Sequence, residues 1–150
     1  MPQSLAKLLV HLVYSTRHRD RILTDDIREE LHRYTAGILK KYDSSAILVN
    51  SVEDHVHILF SQSRNHSLAD LVEQAKKGTS KWLKTKGRTF ARFHWQNGYG
   101  AFSVSQSNVK KVTAYIQNQK EHHKRQSFQD EFRTFLKRHE IEFEERYVWD

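Results

Sequence analysis

The chain has 150 residues, 37% hydrophobic and 29% charged, with no cysteine and a formal net charge of +7. That length supports one domain, residues 1–150, with a proper core, and the missing cysteines exclude disulfides, thiolate metal sites and a cysteine nucleophile. No apolar run approaches the roughly 18 residues of a membrane span, and the N-terminus lacks an apolar signal core followed by a small-residue cleavage site, so a cytoplasmic location is expected. Residues 6–16 are apolar on both faces and predict a central first strand. A helix is predicted from near Thr24, with Ile27, Leu31, Tyr34, Ile38 and Tyr42 recurring at helical steps. Ala46 to Val52 alternates, and Glu53-Asp54 turns it into a strand His55–Phe60, making a hairpin. Ser67-Leu68-Ala69-Asp70 has the form of a capping box and opens a second helix. Gly98-Tyr99-Gly100 turns into a short strand, Ala101 to Ser105. A third helix, capped by Ser107 or Asn108, is expected to run to about His122, and Ser127 caps a fourth that buries Phe128, Phe132, Phe135 and Leu136.

Strand, helix, strand, strand, helix, strand, then helices is the split β-α-β order. It predicts an α+β fold, a ferredoxin-like antiparallel sheet with helices on one face. The other face is expected to be open.

His55-Val56-His57 occupies that expected open face. Alternate residues of a strand share a face, so the two imidazoles emerge together about 6.6 Å apart at the backbone. Two neutral imidazoles at that spacing can grip one divalent ion. Val56, Ile58 and Phe60 point the other way and feed a core. In a chain with 10 histidines such a pair also arises by chance, so the rest of the chain must decide.

The cations are segregated. Arg17, Arg19 and Arg21 follow the first strand; Lys76, Lys77, Lys81, Lys84, Lys86 and Arg88 sit mid-chain; Lys110, Lys111, Lys120, Lys124 and Arg125 flank the third helix, while acids gather in Glu140 to Glu145. This favours a polyanionic partner over a generally basic surface. Trp82, Trp95 and Tyr99 suit either stacking on unpaired bases or core packing.

In the third helix Tyr115 and Gln119 are four apart and share a face beside the stripe Val109, Val112 and Ile116. Together with Leu12-Val13-Tyr14-Ser15-Thr16, Asp54-His55-Val56-His57, Trp95-Gln96, Gly98-Tyr99-Gly100-Ala101-Phe102-Ser103-Val104-Ser105, Tyr115-Ile116-Gln117-Asn118-Gln119 and His122-His123, these motifs make nearly the whole chain resemble a known family. It is similar to the single-tyrosine HUH transposases of bacterial insertion sequences, and to the REP-associated tyrosine transposases. The resemblance implies a metal-dependent transferase that cuts and rejoins single-stranded DNA through a covalent 5′-phosphotyrosine. Tyr115 matches the nucleophile, and the C-terminal helices carry it. His55, His57 and Gln119 match the ligands of Mg²⁺ or Mn²⁺. It further implies a homodimer whose tyrosine helix can complete the neighbour's site, and hairpin DNA as partner, with Arg17, Arg19, Arg21, Lys76, Lys77, Lys81, Lys84, Lys110 and Lys111 as the cations expected to follow its backbone. The alternative is a non-catalytic relative that only holds hairpin DNA or RNA. A phenol has a pKa near 10 and needs help to react at neutral pH, and no residue in the sequence identifies itself as the base. His122 and His123 follow the nucleophile helix; of phosphate contact and surface exposure, exposed side chains are the expectation.

Overall fold

The computed structural model describes residues 2–150. Four strands, β1 (Leu9–Ser15), β2 (Ala46–Ser51), β3 (His55–Ser61) and β4 (Gly100–Val104), form one antiparallel sheet in the order β2-β3-β1-β4. The doubly apolar first strand is central, as expected, and every one of its residues is buried. Helices α1 (Asp25–Lys41) and α2 (Leu68–Leu83) cross one face. They cover Val10, Leu12, Tyr14, Val56, Ile58 and Phe60 to make the main core. Thr24 and Ser67 stand at their N-caps, and Ser67 Oγ accepts from Asp70 N–H at 3.1 Å, which supplies one orphan donor of the first turn. The fold is thus the α+β split β-α-β arrangement. Among the described residues no helix is long and apolar enough to cross a membrane.

Two expectations are corrected. The third helix does not run through to His122. It breaks into α3 (Val109–Gln117) and α4 (Gln119–His122) at Asn118, whose backbone leaves helical geometry (φ −94°, ψ 24°). Asn50 of β2 meets the chain at the break: its side-chain amide donates to the Ile116 carbonyl at 2.7 Å, supplying a partner to an acceptor at the end of α3. Nor is the second face open. A fifth helix, α5 (Phe128–Arg138), capped by Ser127, lies across it with Phe128, Phe132 and Leu136 against Val13 and Phe102. Gly100 makes the close approach feasible, because a Cβ there would collide with the Phe132 ring. The consequence is that His55 and His57 have no exposed surface at all.

Far from that face, His32 of α1 bonds Ser51 Oγ at 2.7 Å, and burial, then Arg28, pulls its pKa down to about 4. A histidine that stays neutral in the fold but protonates freely when unfolded stabilises fully above the unfolded pKa of about 6.5, and that stability drains as pH falls toward the folded value. Between pH 7 and pH 5 this group should remove about 2 kcal/mol. Urea unfolding of the chain and of His32→Gln at the two pH values tests it: the variant should lose less stability on acidification, and equal losses would show that His32 does not titrate in this way.

Candidate functional site

The covered face places titratable groups where an all-apolar layer would otherwise pack. In β1 and β3 the alternation that turns Leu12 and Ile58 toward α1 and α2 turns His11, His55 and His57 toward α5. His11 pairs with Leu59 across the ladder, so His57 is its diagonal neighbour. Their rings meet, with His11 Nε2 and His57 Nδ1 2.7 Å apart. His55 Nδ1 donates to Asp54 Oδ1 at 2.7 Å. The outer nitrogen of each imidazole is therefore held by a neighbour, and both Nε2 atoms face inward. Such ties fix the ring orientation of metal-ligating histidines.

The inward Nε2 atoms converge on α5. Glu131 Oε1 lies 3.0 Å from His57 Nε2, 3.4 Å from His55 Nε2 and 3.4 Å from His123 Nε2. Glu131 itself is 1% exposed, and its other oxygen, Oε2, accepts from the Tyr115 hydroxyl. The expected ligand Gln119 is fully buried beside the cluster: its Oε1 is 3.0 Å from His123 Nε2, and its amide donates to the Tyr115 carbonyl at 3.3 Å. The break at Asn118 turns Gln119 inward at the end of the helix that carries Tyr115. The Tyr115 ring stacks on His122 at 4.4 Å and meets the His57 ring at 6.0 Å.

The ionisation states follow from this crowding. Burial opposes a charge on Glu131, but His57, His123 and His55 around it hold its carboxyl far below the usual range. Burial, the Glu131 charge and the bond to it push the Tyr115 phenol well above its ordinary value. Burial outweighs Glu131 at His57 and lowers its pKa; at His55 burial is overcome by the bond to Asp54 and the nearby Glu131 charge, which raise it. His11 is lowered by burial and then by His57. As it stands, the phenol keeps its proton at neutral pH, and the carboxylate beside it is ionised.

A cation fits this arrangement. His55 Nε2 is buried without a hydrogen-bond partner, and with Nδ1 donating to Asp54 a neutral ring aims its Nε2 lone pair at a carboxylate oxygen. A bare lone pair against an anion is repulsive, and a positive charge between them removes the conflict. His55, His57, His123 and Glu131 can each offer one ligand atom within 4.8 Å of all the others.

Sequence reasoning missed two members of this set, His123 and Glu131, and the neighbouring His11. His123 was expected at the surface but is drawn into the cluster, its side chain 14% exposed. Glu131 carried a signal: it shares the stripe Phe128, Phe132 and Phe135 of α5, a carboxylate on an apolar face. His11 carried the same kind of signal on the inner face of β1.

The basic residues distribute around the cluster. Arg19 and Arg21 line a cleft of about 640 Å³ with Arg28, Lys120 and Lys124, and its floor reaches Asp54 and His123. Lys111 and Arg138 line a second cleft, of about 350 Å³, that reaches Tyr115 and His11. Arg17 and Lys84 line a third, of about 820 Å³, with Arg92. Lys77, Lys81 and Lys110 are exposed outside these clefts. Lys76 departs from the expectation of a free cation, because its ammonium donates to the carbonyls of Gln96 (2.7 Å), Asn97 (3.3 Å) and Gly98 (2.6 Å). It ties down the loop before β4. Trp95 is a core residue, 7% exposed and bonded to Thr79 Oγ1 at 2.9 Å, and Trp82 stacks on Tyr34 at 5.0 Å. Tyr99 remains exposed.

Residues 4–119 match the family model described as "Transposase IS200 like". The chain is 21% identical over 118 residues to the ISDra2 transposase TnpA of Deinococcus radiodurans, a match covering 75% of this chain and 84% of that protein. Its fold is similar to a crystal structure from Deinococcus radiodurans R1 assigned as a transposase (TM-score 0.62, 22% identity, 79% of this chain and 98% of that one). It is also similar to a REP-associated tyrosine transposase solved bound to a REP hairpin (TM-score 0.60, 12% identity, 82% of this chain and 73% of that one). His123 and Glu131 lie beyond the matched residues 4–119.

Proposed function

Because the chain belongs to the IS200-like transposase family, we propose that it cuts and rejoins single-stranded DNA through a covalent 5′-phosphotyrosine on Tyr115. One observation carries this reading: the Tyr115 hydroxyl is bonded to the same carboxylate on which the imidazoles of His55, His57 and His123 converge. Nucleophile and candidate ligands thus share one buried cluster within one chain.

The chemistry asks little of the protein beyond placement and charge. Tyr115 Oη attacks a backbone phosphorus in line, the bond to the 3′-oxygen breaks, and the strand leaves with a free 3′-hydroxyl. Glu131 Oε2 already accepts the phenol's hydrogen bond, so it is placed to pass the proton from Oη to the departing 3′-oxygen as attack proceeds, and back to Oη when a 3′-hydroxyl reverses the step. The phosphotyrosine conserves the bond energy, so rejoining needs no nucleotide triphosphate. A divalent ion, Mg²⁺ or Mn²⁺, with His55 and His57 as ligands and Gln119 beside them, would neutralise charge on the phosphoryl oxygens. Arg19, Arg21, Lys120 and Lys124 in the cleft at Asp54 and His123, and Lys111 and Arg138 in the cleft at Tyr115 and His11, are suited to follow the phosphates of hairpin or single-stranded DNA toward the cluster. Arg17, Lys77, Lys81, Lys84 and Lys110 would add longer-range attraction. A homodimer belongs to the same reading.

The test is adduct formation. Labelled single-stranded DNA carrying a hairpin and its flanking sequence, incubated with protein and Mn²⁺, should yield a denaturant-stable protein–DNA species. Excess chelator should abolish it. Binding without any adduct or nicked product, with or without chelator, would replace the transferase reading by that of a non-catalytic hairpin-binding protein.

A further inference from the structure

We infer that the metal ligands of this chain extend beyond the strand pair and Gln119: His123 of the α4 C-terminus and Glu131 of α5 complete a set of three imidazole nitrogens and one carboxylate oxygen, which selects Mn²⁺ or a later transition ion over Mg²⁺. The inference rests on the transposase reading for a metal being needed at all. It rests on the geometry for which atoms hold it.

The distances carry it. Metal–ligand bonds of about 2.1 Å meeting at tetrahedral to octahedral angles put neighbouring ligand atoms about 3.0–3.4 Å apart. Glu131 Oε1 stands 3.0 Å from His57 Nε2, 3.4 Å from His55 Nε2 and 3.4 Å from His123 Nε2. These three separations fall in that range, and the four candidate ligand atoms all lie within 4.8 Å of one another. Gln119 Oε1, 3.0 Å from His123 Nε2, borders this set of four. His55 Nε2, buried and without a hydrogen-bond partner, is the donor left idle when no cation is present. The outer nitrogens are already occupied, by Asp54 at His55 and by His11 at His57, so each of these rings has only its Nε2 to give.

The donor chemistry sets the ion. Mg²⁺ prefers oxygen ligands and keeps several waters. Three imidazoles favour the first-row transition ions. A buried cluster with four protein ligands also leaves less room for retained water than Mg²⁺ usually demands.

The probe is Mn²⁺ alone, titrated into the full chain without DNA and followed by electron paramagnetic resonance. One Mn²⁺ should bind per chain, with nitrogen couplings from three imidazoles. His123→Gln should reduce that number to two. Glu131→Gln should weaken Mn²⁺ binding tenfold or more, with Glu131→Asp closer to the unaltered chain, and a hundredfold excess of Mg²⁺ should leave most of the Mn²⁺ bound. Two imidazoles in the unaltered chain, or unchanged Mn²⁺ affinity in folded Glu131→Gln, would overturn the donor set. Displacement of Mn²⁺ by an equal concentration of Mg²⁺ would overturn the selectivity. If Glu131→Gln does not fold, the imidazole number in His123→Gln decides. The two readings fail separately: three imidazoles on Mn²⁺ with no DNA adduct sinks the transferase alone, and an adduct with only two imidazoles sinks this donor set alone.

Discussion

Tyr115→Phe should abolish the covalent DNA adduct, a loss of at least about 10³-fold in rate, while hairpin binding persists. The substitution keeps the ring, and with it the stack on His122 at 4.4 Å and the edge contact with Phe135 at 5.5 Å. It removes only the oxygen that forms the new bond. The phenol also donates to Glu131 Oε2, so the variant leaves a buried acceptor without its donor, at about 1–3 kcal/mol. A small drop in melting temperature should therefore accompany the lost adduct. Full-rate adduct formation in the variant would remove Tyr115 from its role, and the adduct-bearing peptide would then identify the true nucleophile.

His57→Ala should reduce metal-supported cleavage by about 100-fold or more and shift the metal titration to higher concentration. His57 has no exposed surface and joins His11 on one side to Glu131 on the other. Its removal deletes a candidate ligand, frees the His11 ring and takes a partner from the Glu131 carboxylate. The fold should weaken as well, because a cavity opens under α5 and buried polar groups lose their partners. Cleavage rates are best compared at temperatures where circular dichroism shows the variant folded. An unchanged dependence of cleavage on Mn²⁺ would place the ligands elsewhere.

The contrast between what these residues announced and what they concealed follows from the range of the interactions. His55 and His57 declared a shared face, because a strand's alternation is a local rule that Val56, Ile58 and Phe60 satisfy on the other side. Tyr115 and Gln119 declared proximity by their spacing, although the path between them is a broken helix rather than a continuous one. Glu131 meets His57 across 74 positions, and no local rule spans that distance. Its place on the Phe128–Phe135 stripe is the one local sign of burial, a sign not taken up from the sequence, and it does not say against what. The covered second face was misjudged for a related reason. The apolar stripe of α5 was legible, yet its docking place depends on Val13, Phe102 and the absence of a side chain at Gly100, which only the assembled sheet brings together.

The helix that roofs the imidazole pair also furnishes the carboxylate that grips the phenol. Shelter and reagent are one rigid body. Any displacement of α5 large enough to admit a phosphodiester from above would carry Glu131 away from both His57 and Tyr115, so unlocking the chamber by that route also disarms it. Under the proposed transferase function, a DNA strand would reach the cluster from the flanks, where the clefts at Asp54 with His123 and at Tyr115 with His11 lead inward while α5 stays in place.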